Sequence, residues 1–411
     1  MANKVLQCEV AIVGGGTAGL ALSTELKRLG VSDIVVLERE KTAGGVPRHC
    51  GHYGFGIREL KKVLKGPDYA RTLVNRAEKA GVDIRTEVTV TKIHPNALLS
   101  LSTPDGEVDL QAQRVVLCTG VRESSRAQRF IGGQRPLGVV ATGALQSMVY
   151  LHGQRPFVRP VILGTELVSF SAIMTCEHMG IRPIAMLEEN SRISVRKFMR
   201  PYPALKNVPL KTDVRDLQIL GDSRVEAVRY FDAQDSLQTI ETDGLIISGK
   251  FRPEAALLHG SHIEIDPGTG GPSIDQFGRT TDPSYFGTGN LLRPAETSSW
   301  CWHEAVRQAK IIAQDLADPI GDTPFASLRS SDPAIRFVLP QRLALSDKPG
   351  GMEKMQIALS SPIKGQIRAQ SSGEILARKF LRSRPLRRIL MPLAPIINAS
   401  PTSTVDISTT Q

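Results

Sequence analysis

The run Gly14-Gly15-Gly16-Thr17-Ala18-Gly19 follows the apolar segment Val10 to Val13 and precedes an amphipathic stretch, Leu20 to Leu29. A buried strand, a glycine turn and a helix in that order put unpaired helix N–H groups and the positive end of the helix dipole where a phosphate binds. Gly14 permits the tight turn, Gly16 lets a pyrophosphate approach the backbone, and Gly19 allows close helix–strand packing. Gly30 stops the helix and Ile34 to Leu37 supplies a second strand. Glu38, 24 residues after Gly14, stands where a carboxylate accepts hydrogen bonds from an adenosine ribose and repels a 2′-phosphate. The unit is a dinucleotide-binding βαβ motif.

The same pattern recurs near residue 160: Pro160 to Leu163 as a strand, Gly164, a helix through Met179, Gly180 as a stop, then Pro183 to Leu187 and Glu188. The interval from Gly164 to Glu188 equals that from Gly14 to Glu38, so the chain repeats an architecture. The second copy departs at the phosphate position, with Glu166 where Gly16 stands and Ser169 where Gly19 stands. A like charge about 4 Å from a phosphate costs up to roughly 4 kcal/mol at an effective dielectric near 20. The first module is expected to hold a dinucleotide, and NAD(P) in the second is disfavoured by Glu166 and Ser169.

Two further clusters carry chemistry. Arg48-His49-Cys50-Gly51-His52 offers a proton donor or a cation, because His titrates near neutrality and Arg is permanently charged; the alternative is a loop-shaping role. Ser298-Ser299-Trp300-Cys301-Trp302-His303-Glu304 holds both tryptophans of the chain, one of which is expected to wall a cofactor, meet a partner or pack a helix. Five cysteines without a C-x-x-C pair argue against a disulfide framework, a zinc site and a cysteine-ligated cluster. Two histidines three residues apart do not prescribe a metal site, and none is expected.

With these segments in view, the sequence resembles the flavoproteins with two dinucleotide-binding domains, relatives of the pyridine nucleotide-disulfide reductases. Val115-Val116-Leu117-Cys118-Thr119-Gly120 is similar to the strand that closes the first half of their FAD domain. Ser284-Tyr285-Phe286-Gly287-Thr288-Gly289-Asn290 is similar to the late turn that touches the ribityl and phosphate part of FAD, with Asn290 in place of the usual acid. The resemblance implies FAD on Gly14, Gly16, Thr17, Ala18, Gly19, Glu38, Arg39, Gly45, Thr119, Gly120, Gly289 and Asn290. Asn290 retains an amide oxygen able to accept from a ribityl hydroxyl. Arg48, His49, His52 and Trp302 are the candidates for chemistry beside the flavin. The segments Gly44 to Gly56 and Leu64 to Ala70 resemble more narrowly the FAD subunits of opine oxidase, hydrogen cyanide synthase and glycerol-3-phosphate dehydrogenase-type assemblies. That likeness implies a second flavoprotein subunit and a small amino- or hydroxy-acid substrate. Many such relatives carry a cysteine-rich C-terminal segment, which this chain lacks.

The elements that must position these residues set the fold class: α/β, with two Rossmann-like FAD/NAD(P)-binding modules in three ββα layers and a small C-terminal β-rich domain. The expected divisions are 1–125 with 245–325 for FAD, 126–244 for the second module with its eroded glycine motif, 330–397 for the basic β-rich domain, and 398–411 as a disordered tail. Lys and Arg number 51 against 41 Asp and Glu, a net +10. Residues 329–411 contribute 13 basic and 5 acidic side chains, so the tail carries most of the excess. Its basic run, Arg378-Lys379, Arg382, Arg384, Arg387 and Arg388, has a single interleaved aromatic, Phe380, and is expected to be a solvated or docking face with nucleic acid unlike a partner. No apolar run approaches the roughly 20 residues of a membrane span, Glu9 interrupts the only signal-like stretch, and the expected compartment is cytoplasmic. The functional expectation is an FAD-dependent oxidoreductase subunit dehydrogenating a small substrate within a hetero-oligomer. The alternatives are a stand-alone NAD(P)H-dependent flavin reductase and an FAD-retaining scaffold.

Overall fold

Val10 to Val13 are buried on both faces, the requirement for a central parallel strand flanked by helices. The computed structural model describes residues 5–195, 197–385, 387–401 and 404–410, which divide into two units. The first comprises Met1–Gly45, Thr72–Val121 and Pro253–Gln411. Its sheet runs Asp83–Arg85, Ile34–Leu37, Leu6–Val13, Gly106–Leu117, with Tyr285–Gly287 added parallel to the end of the long Gly106–Leu117 strand. The other half of that strand continues into the antiparallel Leu98–Thr103 and Thr89–His94. Because the five core strands run parallel, Gly14, Glu38, Cys118 to Gly120 and Thr288 to Gly289 all arrive at one C-terminal edge. Helices Thr17–Arg28 and Ser298–Ala317 pack against each other in this unit.

The second unit comprises Val46–Arg71 and Arg122–Arg252. Its parallel sheet has the order Val139–Ala141, Leu245–Ile247, Val161–Leu163, Ala185–Leu187, Leu210–Lys211. Gly164 to Glu166, Glu188 and Ser248 to Lys250 therefore share its C-terminal edge. A smaller sheet of Gly132–Gly133, Arg215–Leu220, Ala227–Phe231 and Leu237–Glu241 supplies part of the same core, through Leu217, Ile219, Val228 and Tyr230. The α/β class with two Rossmann-like modules and a β-rich C-terminal region is the fold observed. Among the described residues no helix is long and apolar enough to cross a membrane.

The C-terminal region forms a five-stranded sheet, ordered Arg342–Ala344, Phe325–Arg329, Val405–Thr410, Ile363–Ser371, Glu374–Ser383, and a three-stranded one, Ile335–Leu339, Lys354–Leu359, Ile389–Pro392. Alternating apolar residues such as Ile367, Ala369, Met355 and Ile357 face one buried cluster. The expectation of a disordered 398–411 is corrected. Val405–Thr410 is a central strand, with Val405 and Ile407 fully buried, because its polar residues alternate with apolar ones on the core side. Residues 402, 403 and 411 of that stretch lie outside the described residues.

The tightest contact in the first unit is backbone on backbone. A Cβ built on Gly19 would lie 2.0 Å from the Gly14 carbonyl oxygen, and one on Gly14 would lie 2.6 Å from the Cys118 carbonyl oxygen, at φ +109°. Gly19→Ala is expected to cost about 2–3 kcal/mol by overpacking, read as a lowered urea midpoint at unchanged slope.

Candidate functional site

The helix Thr17–Arg28 begins at Gly16 without a side-chain cap and with no acidic residue in its first turn, so its orphan N–H groups face the edge of the sheet. Glu38, 7% exposed, ties the glycine loop to the second strand. Its Oε2 accepts from the Gly15 N–H (3.0 Å) and its Oε1 from the Glu40 N–H (2.9 Å). The Gly44 N–H donates to the Gly15 carbonyl (2.7 Å), and a Cβ on Gly45 would approach the Gly16 Cα to 2.8 Å. Two glycine segments thus meet with no side chain between them. Arg39 is exposed and lies 3.9 Å from Glu40.

Two buried hydroxyls at this edge, Thr17 Oγ1 and Thr288 Oγ1, have no hydrogen-bond partner within the protein. Leaving a hydroxyl buried and unpaired costs about 1–3 kcal/mol, a cost that a ligand accepting from them at this edge would remove. Gly289 follows Thr288 at φ +72°, where a Cβ would approach the Ala18 Cβ to 2.9 Å. The Gly289 turn and the helix start are therefore in direct apposition. The donors, the side-chain-free glycines and the two free hydroxyls fit the phosphate and sugar portions of FAD.

The remaining predicted cofactor residues are partly committed elsewhere. Thr119 Oγ1 donates to the Glu254 carbonyl (2.7 Å), and the Gly120 carbonyl accepts from the Glu254 N–H (2.9 Å). Asn290 Oδ1 accepts from the Glu296 N–H (2.7 Å) while Nδ2 donates to the Glu296 carbonyl (3.1 Å). One lone pair of the Asn290 oxygen is spent on closing the 290–296 loop, and the second remains.

Of the candidates for chemistry, Arg48, His49 and His52 lie in the second unit and Trp302 in the first. The 3₁₀ turn Val46–His49 packs on helix Thr142–His152. Gly51 is required there, since a Cβ would fall 2.1 Å from the Tyr150 ring. His52 Nδ1 lies 3.0 Å from the Tyr53 carbonyl oxygen. Trp302 stands edge-on to His303, ring centroids 4.9 Å apart.

In the second unit Glu166 occupies the start of helix Leu167–His178. Its Oε1 accepts from the Lys250 N–H (2.7 Å), so the carboxylate lies across the end of the sheet. Glu123 sits beside it, accepting from the Gly143 N–H (2.7 Å) and the Gly249 N–H (2.9 Å). Burial pushes both carboxyls above their usual range, and each hydrogen bond opposes that shift. Glu188 is also consumed, accepting from Thr165 Oγ1 and from Asn190 N and Nδ2 (2.9 and 2.6 Å). The buried Arg129 pairs with Glu189 (2.7 Å), which also meets Lys250 (2.5 Å). Ser169 Oγ is buried and unpartnered. Sequence reasoning missed Arg129, Glu123, Glu189 and Lys250, which lie tens of residues from the glycine motif and meet only through the parallel sheet.

The geometry defines two Rossmann-like modules: the first presents an uncapped helix start beside side-chain-free glycines, and the second places the carboxyls of Glu123, Glu166 and Glu188 at the corresponding sheet edge. The chain belongs to the Pyridine nucleotide-disulphide oxidoreductase family, matched over residues 8–309. It is similar to one component of the alkyl hydroperoxide reductase of Pseudomonas putida, 25% identical over 293 residues, 69% of this chain and 53% of that protein. The chain spans between 25% and 54% of the length of the curated relatives it matches. Its fold is similar to thioredoxin reductase of T. acidophilum (TM-score 0.64, 20% identity, 76% of this chain, 99% of the other) and to L-proline dehydrogenase of P. horikoshii (0.58, 18%, 76% and 57%).

All five cysteines are buried and free. Burial pushes the thiols of Cys8, Cys50, Cys176 and Cys301 up to about 12 and raises that of Cys118 as well. Thiolate is the reactive form. Native protein at pH 8 is therefore expected to be almost inert to a chromogenic disulfide reagent, whereas all five thiols react after denaturation in guanidinium.

Proposed function

We propose that this chain is the FAD-carrying subunit of a dehydrogenase for a small amino- or hydroxy-acid, passing electrons to a second flavoprotein subunit in the cytoplasm. The observation that carries the reading is Glu166. Glu166 is the residue that precedes the helix of the second module, in the register where Gly16 stands in the first, and its carboxylate caps no N–H of that helix but accepts from the Lys250 backbone N–H (2.7 Å). A nucleotide pyrophosphate there would meet a buried acid and would have to displace that bond. The buried, high-pKa thiols give the same direction, since disulfide reduction needs an accessible thiolate. Electrons then enter from an organic substrate, by neither NAD(P)H nor a dithiol. The likeness of segments 44–56 and 64–70 to the FAD subunits of opine oxidase, hydrogen cyanide synthase and glycerol-3-phosphate dehydrogenase-type assemblies, and the fold shared with an L-proline dehydrogenase, support the substrate class.

In this reading Gly14, Gly16, Thr17, Ala18 and Gly19 hold the FAD pyrophosphate through backbone N–H groups and the Thr17 hydroxyl. Glu38 fixes the loop through Gly15 and orients the adenosine ribose, with Arg39 and Gly45 beside it. Thr119, Gly120, Gly289 and Asn290 line the rest, and the Thr288 hydroxyl donates into it. Bound FAD supplies two-electron hydride transfer. Trp302, on the helix that follows the Gly289–Asn290 turn, would wall the ring.

A second reading, a stand-alone NAD(P)H-dependent flavin reductase, is favoured by the retained Gly164 turn, at φ +117°, and by the alkyl hydroperoxide reductase relative. Anaerobic mixing decides between them. The flavin absorbance of the purified full chain is expected to persist for minutes in excess NADH or NADPH, and prompt bleaching by either establishes the reductase. Glu166→Gly is expected to tighten nucleotide binding by about tenfold or more. In the wild type any residual affinity should rise as pH falls, because protonation through the raised Glu166 pKa removes the opposing charge.

A further inference from the structure

Gly289 is held by groups far from it in sequence. Its N–H donates to Glu304 Oε2 (3.0 Å) and its carbonyl accepts from Arg293 Nη1 (3.0 Å). Arg293 is 1% exposed and bridges both Glu304 oxygens (2.9 Å each). Its Nε donates to Gln356 Oε1 (3.0 Å), on strand Lys354–Leu359 of the C-terminal region. The far end of the same loop is held from that region too. Arg388 forks onto Glu296, with Nε at 2.8 Å from Oε1 and a second contact to Oε2, and its guanidinium lies 3.4 Å from the Trp300 ring centroid. Asn290 closes the loop internally through Glu296.

We infer that the C-terminal β region, beyond the family-matched residues 8–309, is the clamp that sets the Gly289–Asn290 turn for FAD, with Gln356, Arg293 and Arg388 as its positioning residues. The inference rests on the proposed place of FAD. The turn is backbone pressed against Ala18 with a positive φ, so its position is set by whatever holds its N–H and C=O, and both are held by the Glu304–Arg293 pair. A fully buried guanidinium needs every donor satisfied. Gln356 supplies the acceptor within hydrogen-bond distance of Nε, while the carboxylate of Glu296 in the nucleotide-binding module stands 3.9 Å from it. Every residue of the basic run is exposed; within it Arg388 is turned onto the 296–300 segment and Lys379 Nζ donates to the Leu390 carbonyl (2.6 Å).

The test uses the full chain stripped of flavin and titrated with FAD, following flavin fluorescence and the visible spectrum, with thermal unfolding of the apoprotein alongside. Gln356→Leu, which leaves the Arg293 Nε–H buried without an acceptor, is expected to weaken FAD binding by about tenfold. Gln356→Glu, which restores an acceptor, should bind within about twofold of wild type. Arg388→Gln, at a partly exposed site that tolerates substitution, should weaken FAD by about threefold and shift the bound-flavin spectrum. Wild-type affinity and spectrum in both Gln356→Leu and Arg388→Gln overturn the clamp. So does weakened binding of Gln356→Leu that Gln356→Glu reproduces in full, or that accompanies an apoprotein already unfolded at the titration temperature while Arg388→Gln binds normally. A wild-type chain that takes up no FAD overturns instead the function on which the clamp rests.

Discussion

The rest of the first unit depends on one close approach: the Gly14 loop, the Gly19 turn of helix Thr17–Arg28 and the Cys118 carbonyl occupy the same few ångströms with no side chain among them. A parallel sheet delivers three strand ends to one edge, and only glycine lets those ends come close enough to leave N–H groups facing outward. Glu38 completes the arrangement by bonding the Gly15 N–H. Its acid holds the protein's own loop as well as standing where a ribose hydroxyl would come. Thr17 and Thr288 keep buried hydroxyls unpaired at this edge, a cost that a bound cofactor would remove.

The second module shows the same backbone with acids standing at the sheet edge. Gly164 repeats the left-handed turn and Glu188 the end of the second strand. Yet Glu166 bonds Lys250, Glu188 is saturated by Thr165 and Asn190, and Glu123 takes the Gly143 N–H at a helix start and the Gly249 N–H. Two acids stand side by side at the sheet edge and, when ionised, oppose a polyphosphate there; burial raises both pKa values, so that opposition weakens as pH falls. The module's shape is retained while an acid, Glu166, replaces glycine at the position equivalent to Gly16.

The net charge of +10 is likewise redistributed by folding. Arg129 and Arg293 are buried in ion pairs with Glu189 and Glu304, and Arg388 lies on Trp300. A buried pair is sustained only when its remaining hydrogen bonds are met. For Arg293 one of those bonds comes from Gln356 in the C-terminal sheet, so the basic region is built into the unit it follows.

The sequence alone determined the α/β class, the two βαβ registers and the acid at Glu166, because glycine spacing and apolar periodicity are local constraints on the backbone; it began the first helix at Leu20, three residues after its observed start at Thr17. It placed a β-rich domain over 330–397 and missed the strand at 405–410, whose polar, Ser/Thr-rich composition resembles a tail until its alternate residues find a core. Only the tertiary structure decided what the acids and bases touch. That Glu166 bonds Lys250, that Asn290 spends a lone pair on Glu296, and that Gln356 holds Arg293 against Gly289 depend on strands brought side by side from distant parts of the chain. Hydrogen bonds act over about 3 Å, and a linear pattern carries no information on which remote groups come within that reach.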